Sequence, residues 1–335
     1  MSTEERMNAE LARIEELAVS ALDRYELGAS ATVTLCNVSE NHTYRVDDPA
    51  SGRAFALRVH RPGYRTAQQI ESELMWLDAL RADGVVETPQ VVAADDGARV
   101  VSVSVPDMPA RNVVLFEWVA GTAPDLDSGA AAVGQFETLG AVSARMHLHA
   151  RSWSHPNGFT RPHWDYEHSI GPDGYWGAWQ DGLGMGAEER RLLERLDATI
   201  AARLRAYGQD AERYGLVHAD IRLANLLIDG ELVRVIDFDD CGFSWFMYDF
   251  ATTVSFMEDH PRVPELQDAW IRGYRSVAEL DPTSVAELPT FVMLRRLLLV
   301  AWIGSHHTFA TEAAELGPGF TAGTCALAEA YLSTH

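Results

Sequence analysis

Apolar and polar positions divide the chain into a strand-rich part followed by a helical part. In the first part, the runs "ATVTLCNVSENHTYRV" and "AFALRVHR" flank the turn-forming "DDPASG", which predicts an antiparallel hairpin. "TAQQIESELMWLDALRA" then has apolar residues at helical spacing, with Thr66 as its N-cap. "VVAAD", "RVVSVSV" and "NVVLFEWV" predict further strands. The first 119 residues are therefore expected to form a sheet with one crossing helix, preceded by an N-terminal helix.

Beyond "GTAPDLDSG" the apolar spacing becomes helical. Four segments predict helices: "VGQFETLGAVSARMHLHA", "AEERRLLERLDATIAARLRAYG", "VPELQDAWIRGYRSVAE" and "LPTFVMLRRLLLVAWIGSHHTF". The pattern predicts an α+β fold with an N-terminal helix over 1–29, an antiparallel-sheet N-lobe over 30–119 and a mainly helical C-lobe over 120–335. The crevice between two such lobes is the natural ligand site.

The stretch "LVHADIRLANLLIDGELVRVIDFDD" interrupts the helical part with short apolar runs that end in polar residues. Its "DG" dipeptide predicts a hairpin, which brings Asp220, Asn225 and Asp237 together at the open end. A simple two-residue turn at that dipeptide would pair Asn225 with Arg234 and place it on the opposite face from Asp237. We therefore expect either that Asn225 lies in the loop or that the strands bulge.

These three side chains have the chemistry that phosphoryl transfer requires. An amide oxygen and a carboxylate oxygen suit a hard cation such as Mg²⁺. A second carboxylate, Asp220, can orient a hydroxyl and accept its proton. Each residue alone is also typical of a hydrogen-bonded turn, but the joint spacing favours a catalytic cluster.

"HADIRLAN" followed by "VIDFDD" resembles the catalytic-loop and metal-loop pair of the protein-kinase-like superfamily. The similarity is strongest to the aminoglycoside phosphotransferase branch, which includes antibiotic, choline and homoserine kinases. "SENHTYRV", "FALRVHRPGY", "QQIESEL", "VLFEWVAG", "LGAVSARMH" and "YDFA" follow in the expected order. Within the branch, this combination looks closest to the bacterial stress-response Ser/Thr kinases and to homoserine kinase type II-like proteins. The resemblance covers roughly residues 30 to 310 and implies a bilobal protein-kinase-like fold.

The resemblance also implies roles for individual residues. Asp220 corresponds to the catalytic base, and Asn225 and Asp237 correspond to the Mg²⁺ ligands. Arg58 stands where the family has a phosphate-binding lysine, and Glu73 stands where that lysine has its ion-pair partner.

Other motifs correspond to the nucleotide site and its support. The backbones of Glu117 and Val119 are expected to contact adenine. Because the chain has no G-x-G-x-x-G loop, Ser39, Asn41 and backbone amides are expected to cover the phosphates of ATP. Asp249 of "YDFA" is expected to brace the catalytic loop.

Two arginines raise questions of their own. Arg58 keeps the charge of lysine but not its shape, which motivates an alternative in which the protein is a nucleotide-binding pseudokinase with a regulatory role. The chain contains no lysine at all, so the same bias explains an arginine at this position. Arg222, two residues beyond the predicted base, is hypothesised to contact the γ-phosphate during transfer. A metal-dependent phosphohydrolase built on the aspartates is a further alternative.

Composition limits the partners. The formal net charge of −22 argues against binding to nucleic acid. It mildly favours a cationic acceptor, although a solvated acidic surface is the simpler explanation. Three widely spaced cysteines, a charged amphipathic N-terminus and the shortness of the longest apolar run predict a cytoplasmic protein without a membrane span. The acceptor is a hydroxyl of a small molecule or of a protein Ser/Thr, and the sequence does not decide between them.

Two further sets of residues have open or structural interpretations. The aromatic and acidic segment 161–184 is either a pocket for an amine or sugar-like substrate or the packing of a loop. His218 is expected to anchor the catalytic loop through a backbone hydrogen bond. His147, His306 and His307 lack the spacing of metal ligands and are expected to be structural.

Overall fold

The N-lobe is a six-stranded antiparallel sheet. The structure, a computed structural model, describes residues 3–124, 129–230 and 232–335. Five strands pair in the order β1-β2-β3-β6-β4, and β5 also pairs with β6. The strands are β1 (Thr32–Val38), β2 (His42–Asp48), β3 (Arg53–Val59), β4 (Val91–Val92), β5 (Val101–Val103) and β6 (Arg111–Glu117).

The predicted hairpin is a three-strand meander. The first predicted strand divides into β1 and β2, which pair from Thr32–Asp47 to Val38–His42. The chain reverses at Ser39, whose amide donates to the carbonyl of Asn41 at 3.0 Å. The prediction of one strand was wrong because Ser39, Glu40 and Asn41 favour a turn over the middle of a strand. We call residues 39–41 the β1–β2 turn.

Two helices pack against this sheet and belong to different cores. Helix α1 (Thr3–Ala21) buries Ile14 and Leu17 in a core that it shares with the sheet. Helix α2 (Ala67–Ala82) begins at the predicted N-cap, where Thr66 and Gln69 form a reciprocal capping box. Its buried face belongs instead to the larger core of the C-lobe. Helix α2 therefore connects the sheet to the C-lobe.

The C-lobe contains the four predicted helices and further short elements. Helix α10 was not predicted from the sequence. The helices are α3 (Ala130–Ser152), α4 (Tyr166–Ser169), α5 (Ala187–Tyr207), α6 (Tyr248–Thr253), α7 (Val263–Arg275), α8 (Pro282–His306), α9 (Thr311–Leu316) and α10 (Gly319–Leu332). The strands are β7 (Tyr214–Val217), β8 (Leu226–Asp229), β9 (Leu232–Val235) and β10 (Gly242–Trp245), with β7 paired to β10 and β8 paired to β9.

Helices α3 and α7 approach each other closely at two glycines. A Cβ atom on Gly140 would lie 2.0 Å from the carbonyl oxygen of Trp270, and one on Gly273 would lie 1.7 Å from that of Glu137. A side chain at either position would force the helices apart. This packing holds α3, which carries His147, beside the catalytic loop.

The register of the β8–β9 hairpin settles the position of Asn225. Leu226 pairs with Val235 and Leu227 pairs with Arg234, so the strand begins after Asn225. Asn225 itself ends a short 3₁₀ turn that precedes β8. Its carbonyl accepts from the amide of Ile236 at 2.9 Å. The expectation that Asn225 lies in the loop is confirmed.

Helix α8 is long and apolar enough to cross a membrane by length and composition. Its most apolar window is, however, 78% buried inside the protein, as in the core helix of a globular domain. Two arginines, Arg295 and Arg296, lie within this apolar helix and are buried.

Candidate active site

The predicted catalytic residues lie on two loops that meet at the cleft between the lobes. Asp220 follows β7, and Asp237 follows β9. The backbone is left-handed at Ala219, with φ of 65°, and at Asp237, with φ of 61°. Non-glycine residues rarely adopt this conformation, so the surrounding contacts must hold both loops in place.

Asp249 supplies those contacts for the catalytic loop. Its carboxylate accepts from the amide of Ala219 at 2.8 Å and from that of His218 at 3.2 Å. It also lies 3.0 Å from Nε2 of His147 on α3. The Nε2 atom of His218 lies 3.1 Å from the carbonyl oxygen of Ile236, which joins the two loops. The predicted bracing role of Asp249 and the anchoring role of His218 are confirmed.

The carboxylate of Asp220 lies among three nitrogen donors. Asn225 Nδ2 donates to Asp220 Oδ2 at 2.8 Å, and Arg295 donates to Asp220 Oδ1. Arg222 Nε lies 3.5 Å from Oδ2. Burial raises the pKa of Asp220 against the attraction of the Arg295 and Arg222 guanidinium groups. A raised pKa makes this carboxylate a stronger proton acceptor, as a general base requires.

Asn225 and Asp237 provide oxygen atoms that suit a divalent cation. Asn225 Nδ2 donates to the backbone and side-chain oxygens of Asp220. The side-chain oxygen of Asn225 therefore remains available to coordinate a cation. The Asp237 side chain is 45% exposed and lines the cleft beside Asn225. One amide oxygen and one carboxylate fit Mg²⁺, which completes its shell with water and phosphate oxygens.

Arg58 connects the sheet, α2 and the metal loop. Its Nη1 donates to both oxygens of Glu73, at 2.8 Å and 3.0 Å, and its Nη2 donates to Asp237 Oδ1 at 3.1 Å. Asp239 Oδ1 lies 3.7 Å from Nη1. Burial acts to raise the pKa of Asp239, but His60, Arg58 and two further arginines outweigh it and lower the pKa to about 2. The predicted Arg58–Glu73 pair is present, and contact between Arg58 and phosphate stays a prediction.

A cavity of about 830 Å³ lies between the sheet and the β8–β9 hairpin, and we call it the nucleotide cleft because the nucleotide is predicted to bind there. Its apolar walls include Ala56 and Phe116 from the sheet, and Leu227 and Ile236 from the hairpin. Two apolar surfaces facing each other provide the environment that a planar base needs.

The hinge between the lobes has the polar groups that an adenine ring would use. The amide of Glu117 already donates to the carbonyl of Gln90 at 2.8 Å, and that of Trp118 donates to the carbonyl of Ala54 at 3.1 Å. The amide of Val119 has no hydrogen-bond acceptor among the described residues. The predicted contacts with adenine therefore reduce to the Glu117 carbonyl as acceptor and the Val119 amide as donor.

The two predicted phosphate-covering side chains differ in their surroundings. Ser39 faces the nucleotide cleft. Asn41 is 7% exposed, and both ends of its side chain bond to protein. Its Nδ2 donates to Asp239 Oδ2 at 2.8 Å, and its Oδ1 accepts from the amide of Arg61 at 3.1 Å. Asn41 thus ties the β1–β2 turn to the metal loop.

A second recess of about 50 Å³ opens beside Asp220. We call it the acceptor recess. Its wall includes Glu40 from the β1–β2 turn and Trp302 from α8, and Trp302 Nε1 donates to Glu40 Oε1 at 2.6 Å. Its lining also includes Trp176, Asp240, Phe256, Arg295 and Glu312.

Sequence reasoning missed most of this recess. Arg295, Trp302 and Glu312 lie on α8 and α9, outside every recognised motif. A signal was present, because two consecutive arginines inside an apolar helix must find buried partners. Arg295 forms an ion pair with Asp220, and Arg296 forms one with Glu258.

Segment 161–184 divides between the two interpretations. Trp176 lines the acceptor recess, whereas Trp164 and Trp179 are buried in the core of the C-lobe. The acidic side chains of the segment, Asp165 among them, do not line it. The acidic lining comes instead from other elements.

The histidines that were expected to be structural bond to protein groups. His147 Nδ1 lies 3.1 Å from the Tyr274 hydroxyl, opposite its contact with Asp249. His306 Nδ1 lies 3.0 Å from the carbonyl oxygen of Trp302. In residues 3–124, 129–230 and 232–335 no group of His, Cys, Asp and Glu is arranged to hold a metal by itself. A cation at Asn225 and Asp237 would therefore depend on ligands from water and substrate.

Comparison with known proteins agrees with this arrangement. The family model described as "Phosphotransferase enzyme family" matches residues 34–288. The amicoumacin kinase of Bacillus subtilis is 24% identical over 319 residues, covering 91% of this chain and 90% of that protein.

Solved structures show the same fold over nearly the whole chain. A microcompartment-associated aminopropanol kinase has a TM-score of 0.87 and 48% identity, covering 95% of this chain and 98% of that one. An amicoumacin kinase in complex with AMP-PNP, Ca²⁺ and Ami has a TM-score of 0.75 and 22% identity, covering 96% of this chain and 95% of that one. The chain therefore belongs to the phosphotransferase enzyme family and is a kinase with a bilobal, protein-kinase-like α+β fold.

Proposed function

We propose that this kinase transfers the γ-phosphoryl group of ATP, with Mg²⁺, to the hydroxyl of a small amino alcohol such as aminopropanol. The observation that carries the proposal is the acceptor recess, which ends on Asp220 and is lined by carboxylates and tryptophans. A hydroxyl in this recess lies beside the base, and an ammonium group lies among acidic and aromatic groups.

The size of the recess favours a small acceptor. A volume of about 50 Å³ has room for roughly three to five water-sized groups. Aminopropanol has a similar number of non-hydrogen atoms, whereas an aminoglycoside would leave most of its rings outside. The 48% identity with an aminopropanol kinase supports the same class of acceptor.

The residues of the site supply positioning and charge. Asp220 orients the acceptor hydroxyl and accepts its proton as the hydroxyl oxygen bonds to the γ-phosphorus and the bond to the β–γ bridging oxygen breaks, which releases ADP. Arg58 holds the nucleotide phosphates, and Arg222 adds positive charge near the transferred group. When bound at Asn225 and Asp237, Mg²⁺ supplies charge neutralisation of the phosphate oxygens.

The test is ADP release by the purified protein with ATP and Mg²⁺ across a panel of acceptors. The panel includes 1-amino-2-propanol, ethanolamine, choline, an aminoglycoside, amicoumacin and a protein Ser/Thr acceptor, with Asp220→Asn as the control. The proposal predicts turnover with the short amino alcohols that the variant loses. Turnover only with the large antibiotics or the protein would overturn the acceptor class. Tight ATP binding without turnover would point to a pseudokinase, and phosphate release from simple esters would point to a hydrolase.

A further inference from the structure

Glu40 occupies a position that belongs to both substrate sites. It lies in the β1–β2 turn between Ser39, which faces the nucleotide cleft, and Asn41, which bonds to the metal loop. Its side chain, 13% exposed, crosses to the C-lobe, where it accepts from Trp302 Nε1 and lines the acceptor recess. A ligand that binds Glu40 in the acceptor recess therefore also acts on the β1–β2 turn, which is predicted to cover the phosphates of ATP.

The carboxylate of Glu40 differs from its neighbours because it has no cationic partner among the described residues. Asp220 pairs with Arg295, and Asp240 accepts from Arg65 Nη2 at 2.8 Å.

The other charged groups near Glu40 do not neutralise its carboxylate. Glu312 pairs with Arg222 at 2.8 Å, which leaves neither group for Glu40. The titratable group beside Glu40 is His306, at 3.4 Å. Burial and the charge of Arg61 lower the pKa of His306 to about 4, so it is neutral at pH 7. A buried carboxylate without a counter-charge is costly, and a cationic ligand would relieve that cost.

The surrounding surface also suits an ammonium group. Trp176 and Trp302 both line the recess, with ring centroids 6.3 Å apart. Aromatic faces attract ammonium groups, and this attraction is stronger away from bulk water. The recess therefore combines a buried carboxylate that lacks a cationic partner among the described residues with two aromatic side chains.

We propose that Glu40 binds the ammonium group of the acceptor and thereby couples acceptor binding to the position of the β1–β2 turn over ATP. This inference rests on the proposed function. An acceptor held between Glu40 and Asp220 bridges the lobes, since Glu40 belongs to the N-lobe and Asp220 to the C-lobe. Coupling of this kind is reciprocal, so the amino alcohol tightens ATP binding by the factor by which ATP tightens amino alcohol binding.

The experiment uses Glu40→Gln, which keeps the acceptor for Trp302 and removes the charge. Calorimetry measures the Kd of 1-amino-2-propanol with AMP-PNP and Mg²⁺ present, and the Kd of AMP-PNP with and without the amino alcohol. We expect the variant to weaken amino alcohol binding by at least about tenfold, with AMP-PNP alone changed less than threefold. We also expect the coupling factor to fall to about one, while Glu40→Asp retains part of both effects.

Controls separate the charge from the fold and from the function. Glu26→Gln removes an exposed carboxylate that lines neither the recess nor the nucleotide cleft, and is expected to leave both Kd values unchanged. 1,2-Propanediol replaces the ammonium group by a hydroxyl and is expected to bind wild type and Glu40→Gln equally weakly. If wild type binds and phosphorylates the amino alcohol and Glu40→Gln binds it equally well, the inference is wrong while the proposed function stands. If wild type neither binds nor phosphorylates any amino alcohol, the proposed function fails, and the inference fails with it.

Discussion

Arg58 and Glu73 form a buried ion pair in which one guanidinium nitrogen donates to both carboxylate oxygens, at 2.8 Å and 3.0 Å. The pair joins β3 to α2, and the second nitrogen of the guanidinium reaches Asp237. Arginine thus takes the place of lysine in the family pattern by using separate nitrogens for the helix and the metal loop. A lysine ammonium at the same place would have to divide a single nitrogen between them.

The Arg58 contacts predict graded losses of activity. Arg58→Ala should lower kcat/KM for ATP by at least about 100-fold, or about 2.7 kcal/mol, because it removes the cation from the phosphate side of the cleft. Arg58→Lys should lower kcat/KM for ATP by about tenfold or less, since it keeps the positive charge. Steady-state kinetics at varied ATP concentration measures both values. Equal activity of Arg58→Ala and wild type would remove Arg58 from the nucleotide site.

Asp249 predicts a combined loss of stability and turnover. Asp249→Asn places an NH₂ group among the amides of His218 and Ala219 and the ring of His147, which leaves a buried donor without an acceptor. Urea unfolding should show that the free energy of unfolding of Asp249→Asn is lower than that of wild type by about 2 to 4 kcal/mol. The change Asp95→Asn at an exposed position should alter the free energy of unfolding by no more than about 0.5 kcal/mol.

The same variant tests whether Asp249 positions the catalytic loop. The folded fraction of Asp249→Asn should bind AMP-PNP within threefold of wild type but turn over at least about tenfold more slowly. A variant with lower stability and normal turnover would show that Asp249 supports the fold only.

Arg222 lies between two carboxylates, and this suggests a test of its contact with phosphate. Its Nη1 donates to Glu312 at 2.8 Å and 3.0 Å, while its Nε faces Asp220. If Arg222 contacts the γ-phosphate in the transition state, Arg222→Ala should lower kcat by more than about threefold, or about 0.7 kcal/mol. Glu312→Gln is the matched control, because it breaks the ion pair and keeps the guanidinium. An equal loss of kcat in both variants would assign the effect to the ion pair.

The catalytic trio could be predicted from the sequence because its spacing is local. Asp220, Asn225 and Asp237 lie within one 25-residue stretch whose hairpin brings them together. The Arg58–Glu73 pair was predicted from the resemblance of "FALRV" and "QQIESEL" to two motifs of the family. These contacts depend on the order of elements and not on fine packing.

The acceptor recess could not be predicted in the same way. Glu40, Trp176 and Trp302 are far apart in the sequence, and no periodicity connects them. The turn at Ser39 was missed because β1 and β2 are similar in composition, so they appeared to form one strand. Residues that meet only through the packing of the lobes leave no local pattern in a single sequence.

The charge of Glu40 predicts how stability depends on pH without ligand. Burial, with the Asp240 and Asp220 charges, raises the pKa of Glu40 to about 7, against the hydrogen bond from Trp302. Between the ordinary pKa of 4.5 and this value, the folded state binds more protons than the unfolded state. The stability of wild type should therefore fall through this window as pH rises, and Glu40→Gln should lack this component.

Urea unfolding at two pH values measures the difference. Between pH 5 and pH 8, the free energy of unfolding of Glu40→Gln should rise relative to that of wild type by up to about 3 kcal/mol. Titrating groups remote from Glu40 are common to both proteins and cancel in the comparison. A constant difference between the two proteins across this range would show that Glu40 is not held in a desolvated, acidic environment.

The proposed reaction is phosphorylation of the hydroxyl of a small amino alcohol, with Asp220 as the base. The most direct measurement is mass spectrometry of the products after incubation with ATP, Mg²⁺ and 1-amino-2-propanol. We expect an O-phosphorylated amino alcohol in amounts equal to the ADP formed, with none from Asp220→Asn. ADP formed together with free phosphate and unmodified amino alcohol would contradict it.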